Sequence, residues 1–580
     1  MKKQLATLLI AALCLTGCGA SDSSSTASES SSGDSQTTQE TSTSTETVEE
    51  AGELNLYGFD EPVTIKVGIS RAADFNYQGD DTASNNVWMD LYRENNIIPE
   101  ILYEVDSSQA DTKLSTAIMS GDYPDILAPG TSDYVNYAET GVIADITEAF
   151  EMYASDELKE YLQADGGLAL ESVTIDGRLY GIPEVQNPYD SVPLMFIRQD
   201  WLDNLGLQVP TTMEELVEVA RAFTFDDLDG NGVNDTYGLA LDGVDVLTNS
   251  VGDMSAIFAG FGAYTGTGMT FIEGEDGNVT WGGTNAEGMK AALTMLQSMY
   301  EEGTVASDFI TMDSNSLFEE AGGGRCGIWF GPMWGAMVPA SNIIQSDPDA
   351  HITSAPVPDG LDQGGSKALL STSVSTVYCV SSQCENPEVL IKLLNLSVQK
   401  LCYPVDNDEF FTYYGGAGRT GWKTCLTPTL TPLKNYDNYQ KESAALASGD
   451  TSELNAEQTS DYENMAAFLE MYESGDFDAT DAVFSSGIAL YTVFGDPEGS
   501  YAALDQMIKN DEFVYSAYNT LPTESMSENS ATLKKMTVET IVKIITGDSV
   551  DTYDEFLESW YALGGQECID DAQAWVDANN

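Results

Sequence analysis

The most constraining stretch of the chain lies between residues 62 and 129, where strand and helix patterns alternate with short links. PVTIKVGIS (62–70) is rich in β-branched residues, is bounded by Pro62, and reads as a strand. TASNNVWMDLYREN (82–95) places Val87, Leu91 and Met89 or Tyr92 at helical spacing. NIIPEILYEV (96–105) is a second strand. SSQADTKLSTAIMSG (107–121) reads as a helix capped by Ser107 or Ser108, with Leu114, Ala117 and Ile118 on one face and Gly121 closing it. YPDILAP (123–129) is a third, short strand. Strands separated by helices on short links make a parallel sheet with right-handed crossovers. Ligands of such sheets bind beyond the carboxyl ends of the strands. That rule places Ser70, Arg71, Asp74, Phe75 and Asn76 after the first strand at a candidate site. Pro129, Gly130, Thr131 and Ser132 after the third join them.

About 530 residues follow residue 53, too many for one ordinary core, so two or more lobes are expected. No apolar run after residue 20 reaches transmembrane length. Asp and Glu number 94 against 23 Lys and Arg, a net charge of −71. Such a surface repels nucleic acid and anionic lipid and keeps the chain soluble. His351 is the single histidine, in a turn leading into a strand, so nucleophilic sites that need an imidazole have one candidate base for the whole chain. Carboxylate-only chemistry of the glycosidase type stays open on composition. Cys326, Cys379, Cys384, Cys402, Cys425 and Cys568 are widely scattered, which leaves both free thiols and disulfides open; without a C-x-x-C pair, zinc is not expected.

The N-terminus carries a different signal. Lys2 and Lys3 precede an apolar run from Leu5 to Leu15, followed by Leu15-Thr16-Gly17-Cys18. The run is about half the ~20 residues that span a bilayer, so residues 1–17 read as a signal peptide. Leu-Thr-Gly-Cys resembles the lipobox of bacterial lipoproteins, which implies a lipid on Cys18 and a membrane-anchored protein at the extracellular face. Residues 18–52 are then the lipidated cysteine and a tether of Ser, Thr, Glu, Asp, Gln and Gly, too polar to bury a core and expected to be disordered.

The segment DGRLYGIPEVQNPYDSVPLMFIRQDWLDNLGLQVPTTMEELVEVARAF (176–223) runs from a turn through a strand and linker to a second strand (Pro193 to Ile197), a helix ending at Gly206, and a helix capped by Thr211 or Thr212. With GDYPDIL (121–127), GRCGIWFGPMW (324–334), CENPEVLIKLLNL (384–396) and the terminal helices of 551–579, it resembles the extracellular solute-binding proteins, family 1, of bacterial ABC importers. The resemblance spans about 62 to 580. It implies an α/β, two-lobed periplasmic-binding-protein-like fold of type II, each lobe a mainly parallel sheet flanked by helices, with the ligand cleft between lobes. The N-terminal lobe would comprise 62–186 plus about 376–450, and the C-terminal lobe 188–373 plus about 475–580. Crossings would fall near Gln186 to Pro188, near Ser373 to Tyr378, and within 430–480. The same resemblance implies an oligosaccharide ligand, ABC transporter permease subunits as partners, a monomer, and no enzymatic activity.

Phe225 is followed by Asp226-Asp227-Leu228-Asp229-Gly230-Asn231-Gly232-Val233-Asn234-Asp235. Asp227, Asp229, Asn231 and Asp235 occupy positions 1, 3, 5 and 9 of an EF-hand-type loop, Val233 offers its carbonyl at 7, and Gly232 makes the turn at 6. Alternating oxygens curl round a hard cation, so structural Ca2+ is expected here. Position 12 is Gly238 instead of the bidentate Glu, which points to weaker binding than a full EF-hand. For a sugar cleft, aromatic faces in loops after strands or beside crossings are the expected stackers. Trp334, Trp422 and Tyr189 fit that description. Trp329 sits within a strand and is a candidate for either the site or the core, and Arg71, Asn76 and Thr131 are the polar candidates. A surface carbohydrate-active enzyme, a receptor serving a sensor kinase, and a binding protein for a peptide or other polar solute are the rival readings.

The anchor has a direct test. Two or more acyl chains, at about 0.8 kcal/mol for each buried CH2, hold a protein durably. A Cys18→Ala variant should therefore appear in the culture medium; retention in the membrane fraction would contradict the assignment.

Overall fold

The computed structural model describes residues 54–579, apart from 73, 74, 227, 229–231, 234, 362–364, 372, 373, 375, 416–419, 476 and 479. Cys18 and the 1–52 segment, and the metal-loop positions Asp227, Asp229 and Asn231, lie outside the described residues.

Two sheets organise the fold. The first holds, in spatial order, Ile97–Asp106, Val63–Arg71, Ile126–Leu127, Val377–Val380 and Gly181–Pro183. The first three are parallel, as the alternation of 62–129 requires. Asn86 caps the helix Val87–Glu94 by accepting from the amides of Trp88 and Met89, and Gly121 ends the helix Ala110–Ser120 at φ +78°. The cap ahead of that helix is Asp106, which accepts from Ser108 N–H at 2.9 Å, one residue earlier than expected. The second sheet runs Ile352–Ala355, Leu194–Arg198, Cys326–Gly331, Tyr237–Leu239.

Each sheet is mainly parallel in strand direction, with one strand reversed. Val377–Val380 is antiparallel to both its neighbours, and in the second sheet Leu194–Arg198 is antiparallel to both of its own. These strands enter each sheet along chain that has just crossed from the other, so they run against the strands laid down by local strand–helix–strand winding.

In the second sheet Leu194–Arg198 and Cys326–Gly331 are buried on both faces, which is why they read as near-continuous apolar runs; in the first, Val63–Arg71 alternates between buried and exposed residues. Met195 and Ile197 face one core while Leu194 and Phe196 face another, the period-two alternation of a strand. In the first sheet Ile65, Val67 and Ile69 pack with the helix Val389–Leu401, while Val377 and Cys379 face a smaller cluster around Tyr134 and Val173. Each fully enclosed large apolar side chain contributes about 1.5–3 kcal/mol; Trp88, Trp201, Trp281, Trp329 and Trp560 are all in that class. The six cysteines Cys326, Cys379, Cys384, Cys402, Cys425 and Cys568 are free thiols. Burial pushes Cys326 and Cys402 up to about 12, away from reactivity.

Three segments join the sheets. The first is 184–193, between Pro183 and Leu194; the second is 371–376. The third lies between Leu430, packed on the first core, and Tyr436, packed on the second. The helices Lys434–Ser448 and Ala456–Ser474 place Tyr439, Met465 and Phe468 in the second core, so the first lobe's share ends near 430 instead of about 450, and the second lobe's resumes near 434 instead of about 475. Their sequence hides this because they bury Asn438, Glu442, Gln458 and Asp461 as well as apolar residues, which erases the helical stripe.

His351 opens the edge strand of the second sheet. Its Nε2 lies 2.9 Å from Asp496, and its Nδ1 3.7 Å from Glu498. The hydrogen bond to Asp496 raises its pKa above 6.5, against the opposing effect of burial. A raised histidine stabilises fully below its unfolded value and loses that contribution as pH climbs through the folded value. The melting midpoint should therefore fall between about pH 6 and pH 8 more steeply than that of a His351→Gln variant. Parallel pH profiles for the two proteins would contradict this.

Candidate ligand-binding site

A cavity of about 600 Å³ opens where the crossings meet, within the range of small-molecule sites. Its floor is the first crossing, Glu184, Gln186, Asn187 and Pro188, with Val374 of the second. One wall comes from the first lobe: Thr131 at the start of the helix Thr131–Glu139, and Asp165 with Ala169 at the helix Leu168–Ser172. The other comes from the second lobe: Ser255 and Ala259 on the helix Ser255–Gly260, Tyr264 to Phe271, the loop after the strand Phe513–Tyr515, and the first turns of the helix Glu524–Ile545.

Hydrogen bonds fix the floor. Glu184 N–H donates to Thr376 carbonyl at 3.0 Å and joins the first two crossings. The Asn187 amide accepts from Tyr189 N–H at 3.1 Å, capping the turn Pro188–Ser191, and donates to Asp190 at 2.9 Å and Tyr501 hydroxyl at 3.0 Å. Asp190 also accepts from Tyr501 hydroxyl and, at 2.9 Å, from Asn435 at the third crossing. Burial raises the Asp190 pKa, and the Tyr501 and Asn435 hydrogen bonds pull it back.

The wall presents aromatic faces and neutral polar groups. Tyr518 is wedged edge-on against Phe271 (centroids 6.0 Å, 75°) and Trp575 (5.4 Å, 67°), and its hydroxyl donates to Leu521 carbonyl at 2.5 Å. Burial pushes this phenol up to about 12, so it is a donor at any working pH. A ring held on two edges and at its hydroxyl is pre-set for stacking. Tyr264 adds a second phenol. Ser255, Thr270, Ser516, Thr520, Ser527 and Asn249 supply hydroxyls and an amide. Two carboxylates line the cavity. Asp165 spends both oxygens on Gly167 and Ala169 amides at 2.9 and 2.8 Å. Glu184 is pushed up to about 7 by burial, against hydrogen bonds from Thr376 and Gln186.

Among the sequence candidates, Thr131 lines this cavity, Asp74 lies outside the described residues, and the others stand elsewhere. Trp329 is fully enclosed, stacked on Phe196 at 5.9 Å with its N–H on Gly335 carbonyl, because its strand is buried on both faces. Trp334 is half-buried and stacked on Phe318 at 6.2 Å. Trp422 packs on the first core beside Lys423. The Tyr189 ring sits between Tyr436 and Phe513, about one side chain away from the floor. Arg71 covers Phe75 at 5.3 Å, and Asn76 is exposed in the same loop. Tyr518 and Glu184 line the cavity and were not among the sequence candidates. Tyr518 obeys the loop-after-strand rule, but its strand, Phe513–Tyr515, has three residues; Glu184 is the one acid in the crossing GIPEVQNP.

Around the metal loop, Val233 and Asp235 are exposed, and Gly232 turns at φ +79°. Thr236 is buried, with its hydroxyl on Phe223 carbonyl at 2.9 Å. A Cβ on Gly238 would stand 2.3 Å from the Ala220 carbonyl oxygen. Strand-to-helix packing thus forbids any side chain at position 12, which accounts for the missing glutamate.

The model of the family described as bacterial extracellular solute-binding protein matches residues 91–397, just over half of the chain. The polygalacturonan/rhamnogalacturonan-binding protein YtcQ of Bacillus subtilis (strain 168) is 31% identical over 243 residues, 40% of this chain and 44% of the relative. The lipoprotein LipO of the same organism is 30% identical over 232 residues, 40% and 43% of the two chains. The fructooligosaccharide ABC transporter substrate-binding protein FusA of Streptococcus pneumoniae serotype 4 is 27% identical over 228 residues, 38% and 41%. This chain thus spans less than half the length of each curated relative it matches. In three dimensions it resembles the alginate-binding protein AlgQ2, solved without calcium ion, at TM-score 0.60 and 16% identity over 90% of this chain and 100% of the other. FusA from S. pneumoniae in complex with kestose gives 0.58 and 15%, over 89% and 100%. These likenesses establish the fold, two-lobed and type II periplasmic-binding-protein-like.

Proposed function

This chain belongs to the bacterial extracellular solute-binding proteins, and on that premise we propose that it captures an oligosaccharide in the cleft between its lobes and delivers it to the permease of an ABC importer, without turning it over. The observation that carries this reading is the cavity itself. Tyr518, backed by the buried Phe271, and Tyr264 offer aromatic rings to the C–H side of pyranose or furanose rings, and neutral hydroxyls and amides surround them to match sugar hydroxyls. Relatives named for polygalacturonan, rhamnogalacturonan and fructooligosaccharide binding support a carbohydrate ligand. The crossings at the floor are the hinge about which the lobes would close.

Two further parts belong to the proposal. Lipidation of Cys18 holds the protein at the outer face of the cell membrane, supported by the order of charged, apolar and small residues before it and by the likeness to a lipoprotein. Calcium bound by Asp227, Asp229, Asn231, the Val233 carbonyl and Asp235 stiffens the loop between the helix Met213–Phe225 and the strand Tyr237–Leu239, supported by the spacing of five oxygen positions. The solved relatives include an EF-hand mutant of FusA and a calcium-free AlgQ2.

A thermal-shift screen of the full chain in detergent over a glycan panel tests the ligand. A glycan at about a hundredfold its Kd adds about 2.7 kcal/mol of stability. Tyr518→Ala should weaken that glycan at least tenfold, whereas Trp334→Ala should lower the melting midpoint of the free protein and keep the affinity. The reverse pattern would move the site to Trp334. For the metal, stringent chelation should lower the midpoint by several degrees, restored by added Ca2+; an unmoved midpoint would remove calcium from the description.

A further inference from the structure

We infer that the cleft selects uncharged oligosaccharides over uronate-bearing ones, with the Glu184 carboxylate at its floor as the selecting group. This rests on the oligosaccharide reading and sharpens it, because relatives named for both acidic and neutral glycans leave the choice open.

The backbone of Glu184 is anchored on both sides. It directly follows the strand Gly181–Pro183, its own amide is fixed to Thr376 carbonyl at 3.0 Å, and Val185 N–H donates to Tyr161 hydroxyl at 2.8 Å. The side chain is hydrogen bonded by Thr376 and Gln186, both neutral. The titratable groups around it are the buried phenols of Tyr161 and Tyr378, both held in the neutral form by burial, from the helix Asp156–Leu162 and the strand Val377–Val380. Asp165 on the facing wall adds a second negative charge. Burial has already lifted Glu184 to about 7, the mark of a carboxylate with its charge uncompensated.

Such a group treats the two classes of glycan oppositely. A sugar hydroxyl donates to it in a charge-assisted hydrogen bond, roughly twice as strong as a neutral one. A uronate brings a second carboxylate into the same enclosed space, where one of the two must take up a proton or leave. The surrounding field acts in the same direction: a net charge of −71 slows the approach of any polyanion.

The test uses the full chain in detergent at about pH 8, a unit above the Glu184 value, so that the carboxylate is ionised. Fructo-, gluco-, galacto-, manno- and xylo-oligosaccharides are compared with oligogalacturonate and alginate oligosaccharides by thermal shift. The best neutral binder is then compared by calorimetry with its own derivative carrying primary alcohols oxidised to carboxylates. Wild type should prefer the neutral form at least tenfold, and Glu184→Gln should shrink that preference at least threefold while keeping the melting midpoint within a few degrees. A uronate bound as tightly as its neutral parent overturns the selection, and this arm needs no variant to fold. A preference untouched in Glu184→Gln overturns the role of Glu184. Stabilisation by no glycan at all overturns the oligosaccharide reading itself, and the inference with it.

Discussion

Asp190 is the group on which the geometry of the cleft depends. Its two oxygens accept from Asn187 and Tyr501 on one side and Asn435 on the other, so one buried carboxylate ties the first crossing to the third. The Glu184–Thr376 backbone pair ties the first crossing to the second. Crossing segments have no sheet neighbours to satisfy them, and buried backbone and side-chain polar groups are costly to leave unpaired. Pairing them with one another meets that cost and at the same time fixes where the two sheets stand. The cavity, its aromatic wall and its carboxylate floor follow from that placement.

The acidic surplus shapes the rest. With 23 Lys and Arg in the chain, several of these cations are spent deep inside. Lys392, 3% exposed, donates to the carbonyls of Asn55 and Gly58 and lies over the rings of Phe59 and Tyr153, pinning the incoming chain to the first core. Arg198, 2% exposed, bridges Asp200 and Asp347 while covering Trp201 at 4.6 Å. Lys434 joins Glu457 and Tyr414 just after the third crossing. The cleft keeps its two carboxylates and, among the described lining residues, holds no basic side chain. These cations fasten chain segments, and the cavity is left to neutral polar groups, aromatic rings and the two carboxylates.

The sequence was readable where local physics and tertiary context agree. The strands of 62–129, the capping box of Thr212 with Glu215, and the turn at Gly206 fall where spacing and capping residues put them. The first two crossings, expected near Gln186 to Pro188 and Ser373 to Tyr378, compare with 184–193 and 371–376 between the strands, where proline and polar residues interrupt apolar runs. The tryptophans divide for a physical reason: Trp329 is enclosed in its strand, whereas Trp334 and Trp422 pack on the edges of the cores and stay half-buried, and position after a strand or turn does not separate the two cases. Thr131 lines the cavity as the end-of-strand rule expects, whereas Arg71 and Asn76, placed by the same rule, do not.

By itself the sequence determined the type of elements, the two-lobed fold through the likeness of its motifs, and the extreme negative charge. These depend on local pattern and composition, which need no partner to be defined. Only the tertiary structure decided that the sheets are mixed, that 434–474 belongs with the second core, and that Tyr518, Tyr264 and Glu184 share one cavity. Those facts depend on bringing together residues far apart in the chain, as Glu184 and Tyr518 line one cavity, and no local spacing encodes a distance across a cleft. The same holds for Gly238: as a letter it was a departure from a metal-binding motif, and only the helix packed on it, with Ala220 at 2.3 Å from any Cβ, shows why no other residue fits.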